Sequence, residues 1–169
     1  MKVETTTLDG VLLITPPTIF EDFRGNYIEL YNEVLYREAG INQVFLQDDI
    51  STSHQHVLRG IHGDRETWKL VSCLYGEFHL VVLDWREDSR DFRKWQGFRL
   101  SAANHQQVLI PPGFGNGHVV LSQEAIFHYK QTSYYNRAGQ FTVLWNDPGL
   151  GIAWPVADPV LSPRDQGLA

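Results

Sequence analysis

Val57-Leu58-Arg59-Gly60-Ile61-His62, followed after a short polar stretch by Lys69-Leu70-Val71, sets a permanent cation, an imidazole and an amine along apolar runs. Carried into a cleft, these groups supply an anion anchor, a base that titrates near neutral pH and a donor for a developing negative oxygen. Downstream, Phe127-His128-Tyr129-Lys130 adds a phenol. Together they point to proton abstraction beside a carbonyl on a phosphorylated substrate.

The other reactive side chains suggest less. Cys73 is the only cysteine and lies in the apolar run Leu70-Val71-Ser72-Cys73-Leu74, so it reads as core packing and excludes an intramolecular disulfide. His54 and His56 have the spacing of a strand ligand pair, yet Ser51-Thr52-Ser53-His54-Gln55-His56 is a polar loop with no third ligand nearby in sequence. His79 and His128 alternate with core residues and are expected to face solvent or border a ligand, and His118 follows a Pro-Gly turn that would aim it at a cavity.

The elements that must position these groups are predicted to be strands. The 169 residues suit a single domain, 1–169, with its own core; 43% hydrophobic and 20% charged residues are ordinary for a soluble protein. A formal charge of −6 provides no basic field for nucleic acid, so a polyanion must be met by local cations. The polar N-terminus Met1-Lys2-Val3-Glu4-Thr5 is unlike a signal peptide and no apolar run reaches membrane-spanning length, so a cytoplasmic location is expected.

Short Val-, Ile-, Leu- and aromatic-rich segments separated by Gly, Pro, Asn and Asp indicate an all-β sandwich or barrel. The expected strands are 12–15, 28–31, 43–51, 57–62, 69–74, 78–84, 95–100, 107–110, 118–122, 126–132 and 141–145, with one helix over 32–40 between an N-cap Asn32 and Gly40. Gly76-Glu77 reads as a turn between neighbouring strands, and Ile110-Pro111-Pro112-Gly113-Phe114-Gly115-Asn116-Gly117-His118 as a rigid turn delivering a polar group. Past Pro155 the chain should wrap the surface irregularly.

That punctuation resembles a cupin jelly roll. The metal-ligand positions of cupins overlay here near Gly60, His62, Lys69 and Asn116. Only one of these is a ligand type, and Lys69 would put a positive charge where a cation belongs, so no metal is expected.

The chain further resembles the nucleotide-sugar 3,5-epimerases, typified by dTDP-4-dehydrorhamnose 3,5-epimerase. The likeness runs in order through Asp22-Phe23-Arg24-Gly25, Phe45-Leu46-Gln47-Asp48, Leu58-Arg59-Gly60-Ile61-His62, Lys69-Leu70-Val71 and Gly76-Glu77. It continues through Val82-Leu83-Asp84-Trp85-Arg86, Ile110-Pro111-Pro112-Gly113-Phe114, Tyr129-Lys130, Trp145-Asn146-Asp147-Pro148, Ile152-Ala153-Trp154-Pro155 and Leu161-Ser162-Pro163-Arg164-Asp165.

The resemblance implies a cupin-type β-sandwich, a homodimer exchanging N-terminal strands, no metal or redox cofactor, and epimerisation of a nucleotide-linked 4-keto-6-deoxy sugar in surface-polysaccharide biosynthesis. It implies His62 as base with Asp165 behind it, Tyr129 on the opposite sugar face and Lys69 beside the carbonyl. Arg59 is implied on the diphosphate, Arg24 as a diphosphate contact from the partner subunit and Tyr135 against the nucleotide base; Gln47, Asn116 and His118 are expected as further substrate contacts.

The short His-to-Lys connection and the Phe114-Gly115-Asn116-Gly117-His118 segment look more like capsular-heptose epimerases acting on GDP-linked sugars. A 3,4-ketoisomerase on the same scaffold and a non-catalytic sugar-binding cupin are the alternatives. One tension is local: Arg59 and His62 have opposite parity on a regular strand, so irregular backbone at Gly60 is predicted.

Overall fold

The computed structural model describes residues 1–168. Thirteen strands are found among them: β1 Lys2–Thr5, β2 Leu12–Thr15, β3 Thr18–Asp22, β4 Gly25–Glu29, β5 Gln47–His54, β6 Leu58–Gly63, β7 Lys69–Tyr75, β8 Glu77–Asp84, β9 Trp95–Ser101, β10 Gln107–Ile110, β11 Phe114–Val120, β12 Glu124–Gln131 and β13 Phe141–Thr142. One α-helix, α1 (Glu33–Glu38), starts at Asn32, whose side chain accepts from the Val34 and Leu35 amides.

The strands form two facing sheets, a six-stranded one ordered β1-β2-β10-β7-β12-β5 and a five-stranded one ordered β13-β6-β11-β8-β9, with β3 and β4 apart as a hairpin. This is the expected all-β, cupin-type jelly roll. Alternation along each strand builds the core between the sheets: Val71, Val108 and Phe127 from one side meet Phe78, Leu80, Val82 and Phe114 from the other. Each such side chain contributes about 1.5–3 kcal/mol relative to exposure. The opposite face of the six-stranded sheet is covered by α1 through Tyr36, which packs on Ile14, Leu70 and Leu109. The outer face of the five-stranded sheet, at Ile61 and Leu83, is covered by Val143, Leu150 and Trp154.

Several expected elements shift. β1 and β3 are strands that were not anticipated, because their sequences are short and polar. Gly76 does end a strand (φ 69°), but the strands it joins, β7 and β8, lie in different sheets; the turn moves the chain across the sandwich. Gly115-Asn116-Gly117 belongs to β11 rather than to a turn, for a steric reason. A Cβ on Gly115 would sit 2.6 Å from Ile61 Cγ2, and Gly117 faces the backbone of Gly60.

Past Pro155 the chain is irregular, as expected, and meets the sandwich backbone through a parallel bridge between Val57 and Val160. Among the described residues no helix is long and apolar enough to cross a membrane.

Candidate active site

Toward one end of the sandwich the inward-facing positions turn from apolar to polar. Lys69 shares the inner face of β7 with Val71 and Cys73, and Tyr129 shares that of β12 with Ala125 and Phe127, by the two-residue period of a strand. From the other sheet, β11 presents Asn116 and His118. These line a cavity of about 440 Å³ together with Gln47, Arg59, His62, Tyr135 and Asp165.

The parity conflict between Arg59 and His62 is resolved at Gly60. Along β11, Asn116 pairs with His62 and His118 with Arg59, so two steps on one strand oppose three on the other. The extra residue lets both side chains face the cavity. Gly60 has φ 126° and its peptide bond to Ile61 is cis. A Cβ at Gly60 would lie 2.4 Å from Gly117 Cα and 2.8 Å from the Asn116 carbonyl oxygen, so glycine is required there.

Asp165 reaches this bulge from the C-terminal strap and is 3% exposed. Its Oδ1 lies 2.8 Å from Nε2 of His62. The Gly60 amide donates to the same oxygen at 3.4 Å, and the Ser162 hydroxyl donates to Oδ2 at 2.7 Å. Burial alone would raise the Asp165 carboxyl; the His62 ring and the Ser162 hydroxyl more than offset it and hold the group below its ordinary value. Asp165 is therefore an anion at neutral pH, placed to support a cationic His62.

Lys69 is 7% exposed and donates through Nζ to Asn116 Oδ1 at 3.4 Å. Burial pulls its ammonium below the usual lysine range; Asp64 opposes that shift and Arg164 adds to it. Tyr129 stands across from Asp49 on β5, and burial first, then the Asp49 charge, push its phenol well above the ordinary value, so the phenol is protonated at neutral pH. Arg59 lines the cavity and donates from Nε to Ser53 Oγ at 2.9 Å; its terminal nitrogens make no hydrogen bond among the described residues.

Arg164 donates to Gln140 Oε1 and Thr142 Oγ1. Among the described residues none of Arg59, Lys69 and Arg164 has a carboxylate within ion-pair distance. These three cations without carboxylate partners, in a chain of net charge −6, share the cavity with Asp49 and Asp165 and could pair with an anionic group brought into it.

A neighbouring hollow of about 530 Å³, lined by Asp64, Tyr134, Asn136 and Gly139, shares Tyr135 and Gln140 with the first. Of the residues expected as catalytic or substrate contacts, Arg24 alone lies away from this cavity; it sits on the exposed β3–β4 hairpin, paired with Asp22 at 2.7 Å. His79 and His128 are neither solvent-facing nor at the cavity. The ring of His79 packs edge-on against Trp154, and His128 is buried with Nε2 3.2 Å from Asp48. Exposed His54 and His56 also lie outside it, and no metal-type cluster of His, Cys, Asp and Glu occurs among the described residues.

Sequence reasoning passed over Asp49, Ser51, Gln140 and Arg164, all in the cavity lining. Asp49 and Ser51 follow Gln47 at the strand period, a signal that was available; Gln140 follows a single 3₁₀ turn, Arg137–Gly139, and carried none.

Comparison with known proteins finds relatives along nearly the whole chain. A model of the dTDP-4-dehydrorhamnose 3,5-epimerase family matches residues 5–169. The dTDP-4-dehydrorhamnose 3,5-epimerase of Salmonella typhimurium is 43% identical over 170 residues, covering 98% of this chain and 92% of that protein. The Legionella pneumophila dTDP-6-deoxy-D-glucose-3,5-epimerase, solved with dTDP-4-keto-L-rhamnose, superimposes with a TM-score of 0.92 at 40% identity, covering 98% of this chain and 90% of that one. A 3'-monoepimerase from Streptomyces bikiniensis, solved with dTDP-quinovose, gives a TM-score of 0.89 at 30% identity, with 96% and 84% covered.

Proposed function

The chain belongs to the dTDP-4-dehydrorhamnose 3,5-epimerase family, and from that premise we propose a mechanism in which His62 and Tyr129 work on the two faces of a dTDP-linked 4-keto-6-deoxy sugar. The observation that carries it is that His62, backed by Asp165, and Tyr129 project from opposite sheets into one cavity.

A ketone at C4 acidifies the protons on C3 and C5, since loss of either gives an enolate delocalised onto the C4 oxygen. His62 removes such a proton, and Asp165 stabilises the imidazolium that forms. The Lys69 ammonium stands where the enolate oxygen gains charge; a preorganised donor of this kind is worth about 3–4 kcal/mol. Tyr129 returns a proton from the other wall, which inverts the carbon. Arg59 and Arg164 hold the diphosphate, and Gln47, Asn116 and His118 border the sugar.

The tyrosine-lined second hollow takes the nucleoside, with Tyr135 at the junction of the two cavities. The dTDP form is favoured because the relatives described above are named for dTDP sugars. The same cavity serves deoxysugar biosynthesis whether C3, C5 or both are inverted.

The active unit is a homodimer with exchanged N-terminal strands. The β3–β4 hairpin supports this reading: Phe20, Phe23 and Tyr27 stand in solvent, Phe23 at 98% exposure, beside Arg24. A second copy receiving this hairpin would cover the aromatics and bring Arg24 to the diphosphate. Sedimentation would give a dimer mass, and a Phe23→Asp substitution would shift it toward monomer.

Incubation in heavy water with dTDP- and GDP-linked 4-keto-6-deoxy sugars, followed by NMR at C3 and C5, tests the activity. Label at these carbons with the carbonyl still at C4 is the expected result. A 3-keto product would assign a ketoisomerase, absence of label a sugar binder, and label only in a GDP-linked heptose would reassign the nucleotide and sugar.

A further inference from the structure

His118 has no part in the acid–base steps, yet it is built into the reaction chamber. It is 3% exposed, lines the cavity, and stacks on Phe127 with ring centroids 4.2 Å apart and planes 9° from parallel. Among the described residues its ring makes no hydrogen bond, and Nε2 is buried without a partner. A phenyl ring would fill the same stack with no polar atom to leave unpaired. Nε2 is closed off from the cavity, so an incoming ligand would meet the ring at Nδ1, which has no hydrogen-bond partner among the described residues.

The register identifies the ligand group that Nδ1 would meet. On β11, His118 is paired with Arg59, and Asn116, two residues earlier, with His62. His118 thus stands beside the phosphate anchor, on the strand that also flanks the base. In a nucleotide sugar the diphosphate is attached at C1 and one of the acidified protons is at C3, so the group lying between these two points is the C2 hydroxyl.

Resting on the epimerase reading above, we propose that His118 is a specificity-determining residue that hydrogen-bonds the C2 hydroxyl, selecting 2-hydroxy over 2-deoxy nucleotide 4-keto sugars. Burial, reinforced by the Arg59 cation and opposed by Asp165, pushes the His118 imidazole down to about 3, so the ring is neutral in the working range and carries one donor and one acceptor. A hydroxyl, itself donor and acceptor, matches a neutral imidazole; a phosphate oxygen would call for a cation. The chain already has unpaired cations for that purpose in Arg59 and Arg164.

The test compares kcat/KM for solvent-deuterium incorporation with a dTDP-linked 4-keto-6-deoxyhexose and its 2-deoxy counterpart. The wild-type protein is expected to favour the 2-hydroxy sugar by about 10-fold, corresponding to ~1.4 kcal/mol. His118→Phe, which keeps the stack on Phe127, should lose about that factor on the 2-hydroxy sugar alone, so that the two substrates become equivalent; His118→Gln should restore part of the preference. Equal losses on both sugars would make His118 a packing residue and overturn the proposal. Equal rates with both sugars in the wild-type protein would overturn it without any variant. Absence of label from both sugars would instead overturn the epimerase reading with this substrate class, and this inference with it.

Discussion

His62 and Tyr129 face one cavity from different sheets, the first on a strand of the five-stranded wall and the second on a strand of the six-stranded wall. In the mechanism proposed above the two groups would approach a bound ring from opposite sides, and their losses should be separable.

Replacing His62 with Ala should lower deuterium incorporation at C3 and C5 by roughly 10²–10⁴-fold, the usual share of a positioned general base. NMR in heavy water reads this directly. Incorporation at the wild-type rate would remove His62 from the role of base.

Tyr129→Phe keeps the ring beside Phe127 and removes only the phenolic proton. Label wash-in by His62 should continue while inverted product falls by roughly 10²-fold. The ratio of exchanged to inverted sugar is the measurement, and an unchanged ratio would show that another group donates from that wall.

Asp165→Asn should reduce turnover by roughly 10²-fold or more, because the amide cannot balance the imidazolium. It should also change how stability depends on pH. The folded carboxyl lies below its ordinary value of 3.8, so its contribution is fully present above that value and disappears as pH falls through the lower folded one. Urea unfolding at pH 7 and pH 3 should show a smaller difference for the Asn variant than for wild type. An equal difference would mean that Asp165 gains nothing from its neighbours in the fold.

Gly60→Ala tests the bulge. The added methyl would meet Gly117 Cα and the Asn116 carbonyl in a positive-φ conformation, so a loss of about 1–3 kcal/mol is expected, together with impaired activity as Arg59 and His62 lose their shared face. Denaturant unfolding gives the first quantity and the exchange assay the second. A variant with wild-type stability would show that the backbone there can relax.

Much of this was legible from residue order because the fold follows local patterns. The strands at Leu12–Thr15 and Gln107–Ile110 match their expected bounds, and the Asn32 cap starts the helix as anticipated. What was not legible depends on contacts distant in sequence. Whether Gly115-Asn116-Gly117 is turn or strand is decided by Ile61 and Gly60 pressing against it, and whether β7 and β8 pair is decided by how the sheets are layered. His128 is expected from its neighbours to face solvent or border a ligand, and is instead buried on a strand paired on both sides, by β5 and β7. The residues named from motif resemblance, Arg24 apart, converge on the cavity, whereas Gln140 enters only through the path of a loop.

Asp165 is the last residue of the cavity in chain order, and the strap that carries it is joined to the sandwich at Val57, at Gly60 and, through Arg164, at Gln140 and Thr142. A loosened strap would therefore leave both walls and the phenol in place while taking away the carboxylate behind His62.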